Sequence, residues 1–240
     1  TVSEFSQEQM YSYDLQSHVE LGKFFNKDYG IRIPMFYGTS ETWINPRFNP
    51  LDPDIEFDQA IENVESPARA DSLRQATQDY TRRRSINFTN VRKERKASKG
   101  QKNPQIYDIE NFAASYSFSE TFRRNINTRF DLNRQHNASL NYTYRTRPKL
   151  VKPFSKVSWL QSDYLALLRD FNFYPYPKSF TAIASADRSY TAMQMRNTDA
   201  ILNDIPPELL GNLDATYNKN FNLNRQYTLL FDLTESLRFD

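Results

Sequence analysis

The sequence contains no cysteine, which excludes a disulfide framework, cysteine-ligated zinc and thiol catalysis. Its two histidines, His18 and His136, have no His or Cys neighbour at metal-ligand spacing. With only 5 glycines there is no phosphate-cradling glycine loop, and no G-x-S-x-G nucleophile motif is present. Basic and acidic residues, 31 against 29, nearly cancel and leave no field to draw in nucleic acid. The mean hydropathy is −0.77, and no apolar run approaches the ~20 residues of a membrane-spanning helix. These absences point away from an enzyme, and no cofactor or metal is expected. They do not speak against a membrane β-barrel, whose strands alternate apolar and polar residues and so keep average hydropathy low.

What is present is aromatic residues, 15% of the chain, set in period-two alternation. Phe112, Ala114, Tyr116 and Phe118 share one face of a strand, opposite Ala113, Ser115, Ser117 and Ser119. Ala138, Leu140, Tyr142 and Tyr144 repeat the pattern, and so do Tyr227, Leu229, Phe231 and Leu233. These twelve are the candidate lipid-facing residues. Further strands are expected at Tyr11 to Leu21, Ile31 to Tyr37 and Leu213 to Phe221, with weaker signals at Ser85 to Arg92 and Phe180 to Ala186. Strands running beyond ten residues suit the ~9–11 needed for a tilted span. Aromatic residues expected at strand ends (Phe118, Phe130, Tyr142, Tyr144, Phe173, Tyr174, Tyr176) suit interfacial girdles.

Short connections are expected at Asn26 to Gly30 and Asn222 to Arg225. The spacing predicts a partly helical insert over 38–84. Asp52 and Asp54 stand at one helix N-terminus, and Ser66-Pro67 restarts a second. A short helix is expected near 158–169, where Leu160, Tyr164, Leu167 and Leu168 form a stripe beside Trp159. Asp52, Asp54, Glu56 and Asp58 alternate as in a calcium loop but lack its turn glycine, so calcium is not expected. The run Lys93 to Lys102 reads as a solvated loop. Arg82, Arg83 and Arg84 suit either lipid head groups or, more simply, a helix C-terminus. The sequons at Asn87, Asn137 and Asn141 fall within strand patterns and are discounted. Thr1 opens no signal peptide, and Tyr227 to Asp240 read as a strand in full stride, so an internal piece of a longer chain is expected.

Several long phrases carry a resemblance. KDYGIRIPMFYGTSETWINPRFNPLDPDIEFDQAI (Lys27 to Ile61), RRRSINFTNVRKERK (Arg82 to Lys96) and YDIENFAASYSFSE (Tyr107 to Glu120) resemble the SprA/Sov family of giant outer-membrane proteins. LNYTYRTRPKLVKPFSK (Leu140 to Lys156), LLRDFNFYPYPKSF (Leu167 to Phe180) and FDLTESLRFD (Phe231 to Asp240) continue the likeness. The resemblance implies a mainly β fold: a segment of a very large transmembrane antiparallel β-barrel with partly helical inserts. Residues 1–240 would be one arc of the wall. It implies a structural, pore-forming segment of the type IX translocon of Bacteroidota, which exports folded proteins, gliding adhesins among them. The partners it implies are exported proteins with C-terminal type IX signal domains, a PorV-type shuttle barrel at a lateral opening, a periplasmic plug protein and outer-membrane lipid. The rival reading from pattern alone is a secreted β-sandwich or adhesin-like binding module. Its core would enclose Phe112, Tyr116, Leu140 and Tyr142. A nutrient-receptor barrel is weaker, since no plug-domain signature is present. If short turns face the periplasm, the hairpins at Asn26 to Gly30 and Asn222 to Arg225 do so. The 38–84 insert is then outside and the Ser158 helix inside.

Overall fold

The computed structural model describes residues 8–50, 52–64, 66–95, 104–146, 148–155, 164, 168, 170–197, 213–234 and 238–239. Seven long strands of 13 to 18 residues dominate: β1 (Glu8–Glu20), β3 (Pro34–Pro46), β6 (Asp79–Lys93), β7 (Phe112–Arg124), β8 (Thr128–Arg145), β9 (Ser179–Met195) and β10 (Thr216–Asp232). They pair antiparallel in the order β1-β3-β6-β7-β8-β9-β10, and the short β11 (Arg238–Phe239) extends the β10 edge. The two-residue β2 (Ile31–Arg32) pairs with the end of β6. The order follows the chain because each strand returns beside its predecessor, the arrangement that antiparallel pairing allows with the least crossover. Among the described residues the sheet is open.

The sheet is one layer thick. Phe57, Ala76 and Ala192 are the only buried apolar side chains among the described residues. Two of these, Phe57 and Ala76, belong to the connection between β3 and β6, which runs from Arg47 to Gln78. It holds a small hairpin, β4 (Phe48–Asn49) with β5 (Asp52–Glu56), and two helices, α1 (Phe57–Glu62) and α2 (Pro67–Thr77). The 38–84 insert is therefore shorter than expected at both ends. Gly38 to Pro46 continue β3 because Thr39, Thr42, Trp43 and Ile44 are strand formers paired on both sides, to β1 and to β6. Asp52 and Asp54 lie in β5 and not at a helix start. Arg82, Arg83 and Arg84 lie inside β6 and not at a helix end. Pro67 does open α2, where its missing N–H costs nothing.

Two further expectations change. Thr216 to Asp232 form one continuous strand, so Asn222 to Arg225 are no hairpin. The tight turn lies at Asn125–Asn127. There Asn125 and Thr128 exchange backbone bonds of 3.0 and 3.3 Å, and the Asn125 side chain accepts from the amides of Asn127 and Thr128 at 3.1 and 2.8 Å. This hairpin end of the sheet also carries the 47–78 and 196–215 connections. The opposite end carries Asn26 to Gly30 and the described residues of the 94–111 and 146–178 connections. The predicted helix near 158–169 lies outside the described residues except for Tyr164 and Leu168, both exposed.

Two backbone details set the register. Gly30 ends the β1–β3 connection at φ 62, a left-handed conformation. Its carbonyl accepts the Glu94 amide at 2.7 Å, tying that turn to the end of β6. In β6 the register shifts between Phe88 and Val91 around Asn90, whose φ is 54 and whose amide donates to the Ser115 hydroxyl at 2.9 Å. Asn tolerates that conformation better than a branched residue.

Candidate lipid-facing surface

Residues paired directly across antiparallel strands point to the same side of the sheet. Following the register from strand to strand therefore sorts every strand residue onto one of two faces. Phe112, Ala114, Tyr116 and Phe118 stand opposite Tyr142, Leu140, Ala138 and His136. Tyr144, Tyr142, Leu140 and Ala138 stand opposite Phe180, Ala182, Ala184 and Ala186. Phe180 and Ala182 in turn meet Leu229 and Tyr227. Eleven of the twelve candidate residues thus lie on one face across β7, β8 and β10, and Leu233 follows just beyond β10. The same face carries Phe88 and Ile86 of β6, Met35, Tyr37 and Trp43 of β3, and Tyr11, Tyr13, Leu15 and Val19 of β1. The alanines of β9 leave room for Tyr142, Leu140 and Tyr227 on either side.

The other face is mostly short neutral polar side chains, with charges at Asp14, Arg83, Arg123, Asp131 and Asp187. Ser115, Ser117 and Ser119 meet Ser139, Asn137 and Gln135. Asn218, Asn220, Asn222 and Asn224 continue it on β10 opposite Thr191, Ser189, Asp187 and Ser185. Each strand therefore presents one mainly apolar and one mainly hydrophilic surface.

Nothing among the described residues covers the apolar face. Leu140 is 47% exposed, Tyr227 65%, Leu15 57% and Phe221 63%. Phe112 and Tyr116 are exposed as well, so the closed core required by the sandwich reading is not formed among the described residues.

Aromatic side chains on this face gather into two rows. Toward the hairpin end, Tyr13, Trp43, Tyr80 and Phe122 run across four strands, with ring centroids 5.8, 5.6 and 6.1 Å apart. Toward the opposite end, Phe112, Tyr142 and Phe180 are spaced at 4.9 and 6.0 Å. Sequence alternation placed Phe118 at a strand end. It stands mid-strand, and its ring packs on His136 at 4.9 Å. Along β7 the two rows are ten residues apart, from Phe112 to Phe122, or roughly 34 Å of extended strand. At a tilt of about 40° that projects to roughly 26 Å, close to the ~25 Å apolar band of a transmembrane barrel.

Charge enters the apolar face next to the first row. Glu120, only 7% exposed, is held by Arg82 at 3.1 Å and Arg134 at 2.8 Å, each from a neighbouring strand. The Tyr80 hydroxyl donates to Glu41 at 2.9 Å, and Arg124 lies over the Tyr80 ring at 4.9 Å. A buried carboxylate requires such partners. This cluster was not legible in the sequence, because its members come from separate strands and meet only through register. At the opposite end, ion pairs fix the loops: Arg32–Glu94 at 3.0 Å, Lys93–Glu110 at 2.7 Å and Arg95–Asp108 at 2.8 Å. The Lys93 ammonium bonded to Glu110 holds its carboxyl below the usual range, outweighing the opposing effect of partial burial.

No chemistry converges on the histidines. His136 Nδ1 bonds the Tyr116 hydroxyl at 2.9 Å, and His18 packs on Phe36 at 4.7 Å. Among the described residues no three His, Asp or Glu side chains come together as a metal site.

A family model described as motility related/secretion protein, SprA_N, matches residues 1–61. The match ends at Ile61, where the first of the resembling phrases also ends. No curated protein matches the chain. The matched segment contains β1, the Gly30 turn, β3 and the start of the 47–78 connection, that is, the first pair of strands in the large sheet. The SprA_N description names secretion and motility and no catalysed reaction. Over residues 1–61 the chain is similar to the SprA_N segment of motility-related secretion proteins, which is consistent with a fragment of that family.

Proposed function

We propose that this chain forms part of the wall of an outer-membrane β-barrel that conducts proteins in type IX secretion. The observation that carries the reading is the single-layer sheet. Its apolar face has no protein cover among the described residues, and an apolar sheet face of this size in water would be an aggregation site. Lipid is the solvent that such a face fits. All seven long strands meet or exceed the ~9–11 residues of a barrel span. The open edges at β1 and β10 would pair with further strands, since unsatisfied backbone groups in lipid are costly.

On this reading the Ser, Thr and Asn face lines the pore. Mostly short neutral side chains with scattered charges of both signs give a passing folded protein little to hold it, which suits a conduit with no chemical step. Exported proteins with C-terminal type IX signals would pass along it. A PorV-type barrel at a lateral opening and a periplasmic plug are the proposed partners at the rim. The shortest connection, Asn125–Asn127, favours the periplasm for the hairpin end, the reverse of the orientation expected from Asn26 to Gly30. The test is fractionation of cells producing the full-length protein. Retention in the outer membrane through salt and carbonate washes, with release only by detergent, is the expected result. Release as a soluble β-rich protein would end both the barrel and the export reading.

A further inference from the structure

Positive charge on the apolar face is densest at one level, with Arg225 of β10 standing apart from it in the row of Ala184 and Leu140. Three successive cross-strand rows contain Arg82, then Arg84, Arg134 and Lys219, then Arg188, all on β6 to β10. Within those rows the only carboxylates are Glu120 and Glu41, so five cations face two anions. Glu120 is committed to Arg82 and Arg134, and Glu41 accepts from Tyr80. Arg84 and Arg188 have no carboxylate partner among the described residues, and both are exposed. Neighbours two strands apart in a row are roughly 10 Å from one another, a spacing that a lipid head group can bridge.

We infer that this row binds the phosphate of an anionic glycerophospholipid, whose acyl chains lie along the apolar rows between the two aromatic lines. The inference rests on the reading of this face as lipid-facing. Guanidinium groups match phosphate oxygens in charge and geometry. The cations sit beside the aromatic row Tyr13–Trp43–Tyr80–Phe122, the level at which head groups begin. That row lies at the hairpin end, whose three-residue turn favours the periplasmic leaflet, where glycerophospholipids and not lipopolysaccharide supply the phosphate. Glu120 has a role in this site: it keeps Arg82 and Arg134 side by side across three strands.

A local quenching measurement on the full-length protein tests this. A fluorophore at Phe118→Cys, in the row of Arg188, is exposed to membranes of phosphatidylcholine containing either brominated phosphatidylglycerol or brominated phosphatidylcholine. Stronger quenching by the brominated phosphatidylglycerol is expected. That preference should fall about fivefold for each arginine lost in Arg84→Gln and Arg188→Gln, the usual attraction of one basic residue to an anionic surface. The Arg84→Lys/Arg188→Lys pair should largely keep it. Equal quenching by the two lipids, a preference unchanged in the glutamine variants, or stronger quenching by brominated lipid A would overturn the site. Quenching by no lipid would instead overturn the lipid-facing reading beneath it.

Discussion

Lysine placed at Ala138 and at Ser139 should have opposite consequences, although the two residues are neighbours in β8. Ala138 lies on the apolar face between Tyr116 and Ala186, and Ser139 on the polar face between Ser115 and Ser185. Along β8, Ala138 is six residues from Leu132, which is level with the Phe122 aromatic row, and four from Tyr142 in the other row. At ~3.4 Å per residue these are roughly 20 and 14 Å of strand. With a tilt of about 40° they become depths of roughly 16 and 10 Å. A lysine stem shortens the nearer path only in part, so the ammonium stays below the head-group level. The expected cost of Ala138→Lys is about 2–3 kcal/mol, toward the lower part of the range for a charge near the bilayer midplane. Ser139→Lys should cost below ~0.5 kcal/mol, because half-exposed Ser139 lies on the hydrophilic face, where a lysine can reach water. The assay is the folded fraction of full-length protein in lipid, read by heat-modifiable gel mobility across a urea series. A 2 kcal/mol difference is roughly a thirtyfold change in the folded-to-unfolded ratio. Equal effects would refute the assignment of faces, and a larger effect at Ser139 would invert it.

Other perturbations probe the local devices. Gly30→Ala should destabilise the β1–β3 turn by about 1–2 kcal/mol, because alanine at φ 62 is strained. Its Cβ would also meet the Glu94 carbonyl at 2.7 Å. Faster amide exchange at Tyr29 and Glu94 is the readout, and unchanged exchange would contradict it. Acid should loosen the Lys93–Glu110 contact. A carboxyl held below its ordinary value stabilises the fold above the unfolded pKa of about 4.3, and that contribution fades as pH falls through the lower folded value. Exchange protection at Asn111 should therefore be flat from pH 8 to pH 5 and decline only in stronger acid. A loss near neutrality would point to another group.

The strands were legible wherever alternation was clean, as in Phe112 to Glu120 and Asn137 to Arg145. Alternation is local, and the backbone writes it directly. It failed where a second signal competed with it. Asn222 and Asn224 read as turn formers, yet with Asn218 and Asn220 they are the polar face of one long strand. The arginine triplet 82–84 read as a helix end because charge in a strand interior is unusual. Across the sheet two of the three flank Glu120, Arg82 through an ion pair and Arg84 by register. The hairpin at Asn125–Asn127 carries no glycine, and its side-chain bonds replaced the usual turn signature. Register was beyond reach of the sequence, since it depends on pairings between residues far apart in the chain. With it went both aromatic rows and the Glu120 cluster, the features that most resemble a membrane boundary. The resemblance over Lys27 to Ile61, in contrast, rested on phrases specific enough to coincide with the family match at residues 1–61.

The central claim is that one face of this sheet meets lipid and the other meets water. Single cysteines at each position from Asn137 to Tyr142, in full-length protein made otherwise cysteine-free, test it most directly; these 240 residues contribute no cysteine. In full-length protein in membranes, fluorophores at 138, 140 and 142 should be quenched by brominated lipid and spared by an aqueous quencher, with 137, 139 and 141 behaving in the opposite way. Uniform access of all six positions to the aqueous quencher would mean that no lipid lies against this sheet.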